Sequence, residues 1–178
     1  MRSKVIGLEL ILTVLKKPGP IFLQRKEFIE IVKTSLCDGL LKYCVTGEKS
    51  IFAIVVSIFW NLFLHFRTHL KQIIFVVLDT FFLKILSSGN SSFHHKQLIL
   101  SVFDQISKDT RFLLQLFCNY DCEIDQKDIC APLIDSLSRI ATGKFTKSEH
   151  QSMISSADEY SLRTYATEIL VQMLRSFN

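Results

Sequence analysis

The 178 residues are 48% hydrophobic and include only 6 Gly and 3 Pro, which favours long packed helices over many short strands within one compact domain or a short solenoid. The net charge of +4 is unevenly spread: residues 1–100 carry 13 Lys/Arg against 6 Asp/Glu, residues 101–178 carry 8 against 11, and no basic run suits nucleic acid. The basic half would suit anionic lipid or an acidic partner, but scattered lysines on solvated helix faces give the same count and are the favoured reading.

Cys37, Cys44, Cys118, Cys122 and Cys130 have no paired spacing. Met1-Arg2-Ser3-Lys4 leads into an amphipathic stretch carrying Glu9, unlike a secretory leader. Both features predict a reducing, cytosolic compartment.

In chain order, Ser3–Lys17 places Ile6, Leu10 and Val14, and also Leu8, Leu12 and Leu15, at helical spacing, and Pro18-Gly19-Pro20 stops this helix. A second helix over about Gln24–Cys44 repeats Phe28, Ile31, Val32, Leu36, Leu40 and Leu41, and Thr46-Gly47-Glu48 closes the hairpin. Ser50–Arg67 and His69–Leu86 read as near-continuous apolar helices before the polar loop Ser87-Ser88-Gly89-Asn90-Ser91-Ser92. Phe93–Lys108 and Asp109–Asn119 form a shorter pair, with Asp109 as N-cap. The last pair is Gln126–Thr142, with Pro132 marking its first turn or a kink and Gly143 ending it, and Ser155–Ser176, with Ser156 or Asp158 near its start.

The apolar runs Ile51–Phe66 and Ile73–Leu86 fall short of the roughly 20 residues a spanning helix needs, and the second contains Asp79 and Lys84. Central helices of a solenoid account for both better than a transmembrane hairpin. Pairs starting near residues 3, 49 and 93 repeat at about 45 residues, within the roughly 40 to 47 of armadillo and HEAT units. The expected fold is all-α, an armadillo/HEAT-like α-solenoid of about four helical hairpins in a single domain over residues 1–178, with an irregular bundle as the alternative.

The densest polar constellation runs Asn119-Tyr120-Asp121-Cys122-Glu123-Ile124-Asp125 and on to Asp128 and Cys130. A calcium loop is excluded there, because the sixth position is Gln126 instead of Gly and the twelfth is Pro132 instead of a bidentate Glu. Cys118, Cys122 and Cys130 lack zinc-site spacing, with His94, His95 and His150 the nearest histidines in sequence. A His65/His69 metal pair is outweighed by a polar rim beside Arg67 and Lys71. No local signature supports Cys-His or Ser-His-Asp catalysis, and the separated glycines form no phosphate loop. Neither cofactor nor metal is expected. The remaining chemistry is structural: Asn and Asp between helices satisfy exposed backbone ends and hold a corner.

Asn119-Tyr120-Asp121-Cys122 followed by an acid resembles the signature box of the HUS domain (homology upstream of the Sec-seven catalytic domain) of large Golgi Arf guanine-nucleotide exchange factors, BIG branch. Other stretches resemble the family in the same order: Gly7-Leu8-Glu9-Leu10-Ile11-Leu12, Pro18-Gly19-Pro20-Ile21-Phe22, His69-Leu70-Lys71, Ser91-Ser92-Phe93-His94-His95-Lys96, and Leu133-Ile134-Asp135-Ser136-Leu137-Ser138-Arg139-Ile140-Ala141. Glu123 departs from the family's usual Asp, and Pro132 stands in a helix where the pattern does not place it.

The resemblance implies an armadillo-like, non-catalytic regulatory module, peripheral to Golgi membranes and acting in vesicle transport. Its implied partners are the upstream DCB (dimerisation and cyclophilin-binding) region, an Arf-family GTPase and the Golgi membrane surface. It implies a structural or interaction role for Asn119, Tyr120, Asp121, Cys122 and Glu123, and a chain without the catalytic exchange domain, hence a regulatory fragment or truncated product. The alternatives are an autonomous helical-repeat adaptor and an integral membrane protein.

Overall fold

The computed structural model describes residues 2–44, 48–124, 126–144 and 155–177, and every regular element among them is helical. The fold class is all-α. Two compact units divide the chain, Met1–Val77 and Leu78–Asn178.

The first unit holds α1 (Arg2–Lys16), α2 (Pro20–Gln24), an unbroken run of α3 (Lys26–Ile31), a π-helical turn π1 (Val32–Leu36) and α4 (Cys37–Tyr43), then α5 (Lys49–Phe66) and α6 (Lys71–Val76). The short α2 is a departure from the sequence reading, which started the next helix near Gln24. Gly19 caps it in an extended conformation and Pro20 opens it, where a missing N–H costs nothing. Extended Arg25 then separates α2 from α3. The expected turn residues Thr46 and Gly47 lie outside the described residues, and Glu48 caps α5 in an extended conformation.

Helix α5 is the core of this unit, packed against α1 and α4. Val55, Ile58, Phe59, Leu62, Phe63 and Phe66 are each 0% exposed, and truncating a phenylalanine in such a position to Ala costs about 3–5 kcal/mol. Its polar interruptions turn back on the helix itself: the Ser57 hydroxyl donates to the Ala53 carbonyl at 2.9 Å, and the Asn61 amide to the Ser57 carbonyl at 2.8 Å. By length and composition, α5 is the one described helix apolar enough to cross a membrane, and half of its residues are buried within the protein, as in a core helix. Helix α1 turns Leu8 and Leu15 inward and leaves Ile6, Leu10 and Val14 exposed. Leu10 and Val14 join Phe22, Phe28 and Ile31 along an open apolar groove of about 450 Å³.

In the second unit, α7 (Lys84–Ser87) continues a π-helical run, π2 (Val77–Leu83), that begins at the boundary residue. There follow α8 (Phe93–Lys108), α9 (Thr110–Leu116) with its continuation π3 (Phe117–Asp121), α10 (Cys130–Ala141) and α11 (Ser156–Phe177). Helix α8 packs against α7, α9 and α11, while α10 packs against α11 and π3. Ile99, Leu100, Phe103, Phe112, Leu137 and Ile169 form the core of this unit, each 2% exposed or less.

Its helix ends are explicitly closed. The Ser92 hydroxyl accepts from the His95 N–H at 3.3 Å, the Asp109 carboxylate from Phe112 at 3.1 Å, and the Ser155 hydroxyl from Asp158 at 3.1 Å. At the C-terminal end of α10, Gly143 adopts φ 70°, so its N–H reaches the Ile140 carbonyl at 3.0 Å and the Lys144 N–H reaches that of Arg139 at 2.8 Å. Arg163 Nε donates to the Ala141 carbonyl at 3.2 Å, and the Ser176 hydroxyl donates to the Ser107 carbonyl at 2.7 Å, fixing α11 to α10 and α8.

Candidate functional site

The polar constellation falls where one helical run ends and the next begins. The helix does not stop at Leu116 but widens into π3, closed by the Cys122 N–H donating to the Phe117 carbonyl at 3.1 Å. π-helical turns of this kind occur often at functional positions, because the wider turn re-aims the side chains that follow it. Here it sets Tyr120 inward, 2% exposed, and leaves Asn119, Cys122 and Glu123 exposed, with Asp121 half-buried between them. The Glu123 N–H donates to the Tyr120 carbonyl at 3.3 Å, and the Gln126 N–H to that of Glu123 at 3.2 Å. Asp125 lies outside the described residues.

Asp121 crosses the loop to the start of α10. Its Oδ2 accepts from the Ile129 N–H at 3.3 Å, both oxygens accept from Cys130 at 3.0 and 3.2 Å, and Oδ1 accepts from Ala131 at 3.4 Å. These are first-turn amides that lack partners inside the helix, and Ile129, at the cap position, has no side chain able to accept. A carboxylate there also faces the positive end of the helix dipole. Pro132 is the third residue of α10, so its missing N–H removes a donor that the helix could not have used. The helix accordingly starts at Cys130, four positions after the Gln126 expected from the sequence.

The corner raises nearby proton affinities. Burial and the adjacent Asp121 carboxylate, to which the thiol hydrogen-bonds, push the Cys130 thiol up to about 12. Burial and the Glu123 charge raise the Tyr120 hydroxyl above its ordinary value. Neither group is poised to lose a proton near neutrality. The chemistry of the corner is acceptance of backbone hydrogen bonds by a carboxylate, and among the described residues no group of three His, Cys, Asp or Glu side chains is placed to hold a metal ion.

Sequence reasoning did not identify the Ile129, Cys130 and Ala131 amides as the recipients of Asp121. It also missed a second polar feature, the buried Lys96 of α8.

A family model described as the Mon2/Sec7/BIG1-like HUS domain matches residues 1–129. The human Brefeldin A-inhibited guanine nucleotide-exchange protein 1 is 35% identical over 98% of this chain, and the Arabidopsis thaliana Brefeldin A-inhibited guanine nucleotide-exchange proteins 3 and 4 are 29% and 28% identical over 99% of it. The chain spans only 9% of the human protein and 10% of the plant proteins. With the family model covering most of its length and these relatives most of the remainder, the chain belongs to the HUS domain family of the BIG-type guanine-nucleotide exchange factors.

Proposed function

We propose that this chain is a non-catalytic regulatory and scaffolding module of an Arf guanine-nucleotide exchange factor, working in Golgi vesicle transport as a single armadillo-like domain. The observation that supports this reading is the Asp121 carboxylate bound across the α10 N-terminus, which holds a corner by backbone hydrogen bonds. On this reading the Asn119–Glu123 box keeps two helical runs at a set angle, and the partner is the upstream DCB helical region of the same factor. The exposed apolar groove between α1, α2 and α3 is a surface of the kind that receives a packing helix. Peripheral association with Golgi membranes follows from the exchange factor as a whole.

The test pairs an activity with a binding measurement. The purified chain leaves fluorescent-nucleotide release from an Arf GTPase at its spontaneous rate and captures the separately expressed upstream region in a pull-down. Catalytic acceleration of release overturns the non-catalytic reading. Failure to capture the upstream region favours an autonomous adaptor.

A further inference from the structure

Cys118 lies within π3 and Cys122 caps it, so two exposed thiols stand four positions apart on a single turn. Positions so spaced on a helix are about 6 Å apart between Cα atoms, inside the roughly 4.4–6.8 Å that a disulfide spans. The turn is held in place by the Cys122 N–H, which donates to the Phe117 carbonyl at 3.1 Å. The two side chains already meet, the Cys122 thiol being hydrogen-bonded to Cys118.

The remaining thiols do not compete for either sulfur. Cys37 and Cys44 are buried in the first unit, and Cys130 is buried at the start of α10 with its thiol hydrogen-bonded to Asp121. Oxidation of a cysteine is selective where the sulfur is accessible and a second thiol stands ready to resolve the first product, and this pair meets both conditions. Local desolvation, with the neighbouring Cys118 and the Asp121 carboxylate adding to it, raises the Cys122 thiol above its ordinary value. Cys122 therefore keeps its proton and suits the second, resolving step.

We propose that Cys118 and Cys122 form a reversible dithiol–disulfide site whose oxidant is hydrogen peroxide. The Cys118 thiolate attacks one peroxide oxygen: the S–O bond forms as the O–O bond breaks, and the departing hydroxide takes up the proton that Cys118 released, leaving a sulfenic acid and water. The Cys122 sulfur then attacks the sulfenic sulfur. The S–S bond forms as the S–O bond breaks, and the Cys122 proton leaves with the hydroxide as a second water, two electrons having passed from the pair to the peroxide. The ring so closed encloses Asn119, Tyr120 and Asp121, and thus the carboxylate that braces α10. In a reducing compartment such a bond is transient and belongs to redox sensing. The site does not depend on the regulatory role proposed above.

The dilute, fully reduced chain is treated with limiting hydrogen peroxide, and its thiols and mass are followed. Two of the five thiols are lost together with the mass of two hydrogen atoms, and dithiothreitol restores both. Trypsin releases residues 112–127 as one peptide holding Cys118 and Cys122, with Cys130 in the next, so the loss of two hydrogens falls within residues 112–127. Cys118→Ser gives no such loss, and Cys122→Ser leaves a Cys118 sulfenic acid that dimedone captures. A wild-type peptide that gains oxygen without losing two hydrogens, a Cys122–Cys130 linkage, or disulfide-joined dimers in place of the internal bond overturns the proposal.

Discussion

Asp121 meets amides eight to ten residues further along the chain, so its contribution lies in closing a loop as well as in capping a helix. Replacing it with Ala leaves the first-turn donors of α10 without their acceptor, at a cost of roughly 1–3 kcal/mol, or roughly 2–4 °C in melting temperature per kcal/mol for a chain of this size. Asp121→Asn keeps one acceptor oxygen and retains more stability, and more capture of the upstream region, than the Ala variant. Melting and pull-down of the three proteins read this order, and equal behaviour of all three would remove the brace. That Asn119–Glu123 form a polar inter-helix segment is legible in the sequence because acids and amides interrupt the apolar periodicity there. The particular amides bound by Asp121 are not legible, because the path of an intervening loop leaves no periodic trace. Lys96 was harder still: a lysine in an amphipathic helix reads as solvated, and only the packing of α8 against its neighbours shows otherwise.

At the scale of the element, helix boundaries follow local chemistry where the cap is a neighbour and depart from it where the cap is distant. Asp109 and Gly143 are legible as a start and a stop because each acts within a few residues of its own position. Helix α2 is not legible because Pro18 and Pro20 have the composition of a terminator, although Pro20 also satisfies the first position of a new helix. The π-helical turns carry no residue signature of their own, since no Gly or Pro marks the places where the helix widens. Two cap variants follow. Asp109→Ala costs about 0.5–2 kcal/mol through the lost bond to Phe112. Gly143→Ala places a Cβ on a backbone at φ 70°, 3.4 Å from the Arg163 guanidinium, and destabilises by about 1 kcal/mol or more. Chemical denaturation reads both, and a Gly143→Ala protein as stable as wild type would mean that the α10 terminus relaxes without its left-handed residue.

For the whole molecule, the distribution of buried titratable groups over both units fixes how stability responds to alkali. Burial, with Asp38 adding to it, pushes the Cys37 thiol up to about 12, and burial pushes Cys44 and Cys130 to the same level, the Asp121 carboxylate contributing at Cys130. Between about pH 9 and 12 the unfolded chain therefore releases these protons while the folded chain keeps them, so the native state binds more protons and stability falls as pH rises. Lys96 acts in the opposite sense: burial lowers its folded proton affinity, so between that lowered value and its ordinary value of 10.5 the unfolded state binds the extra proton and its contribution rises with pH. Three thiols, joined by the raised Tyr120 and Tyr165 hydroxyls, outweigh one lysine. The expected outcome is a melting temperature that declines above about pH 9, with a shallower decline in Cys37→Ala/Cys44→Ala and a steeper one in Lys96→Met. The slope with pH is the quantity read, so a uniform loss of stability from the cavities left by the alanines does not interfere. Native thiol titration at neutral pH is the companion measurement, in which exposed Cys118 and Cys122 react at once and buried Cys37, Cys44 and Cys130 only on unfolding. A melting temperature flat to pH 11, or immediate reaction of all five thiols, would show that the interiors of the two units admit solvent and that burial does not hold these protons.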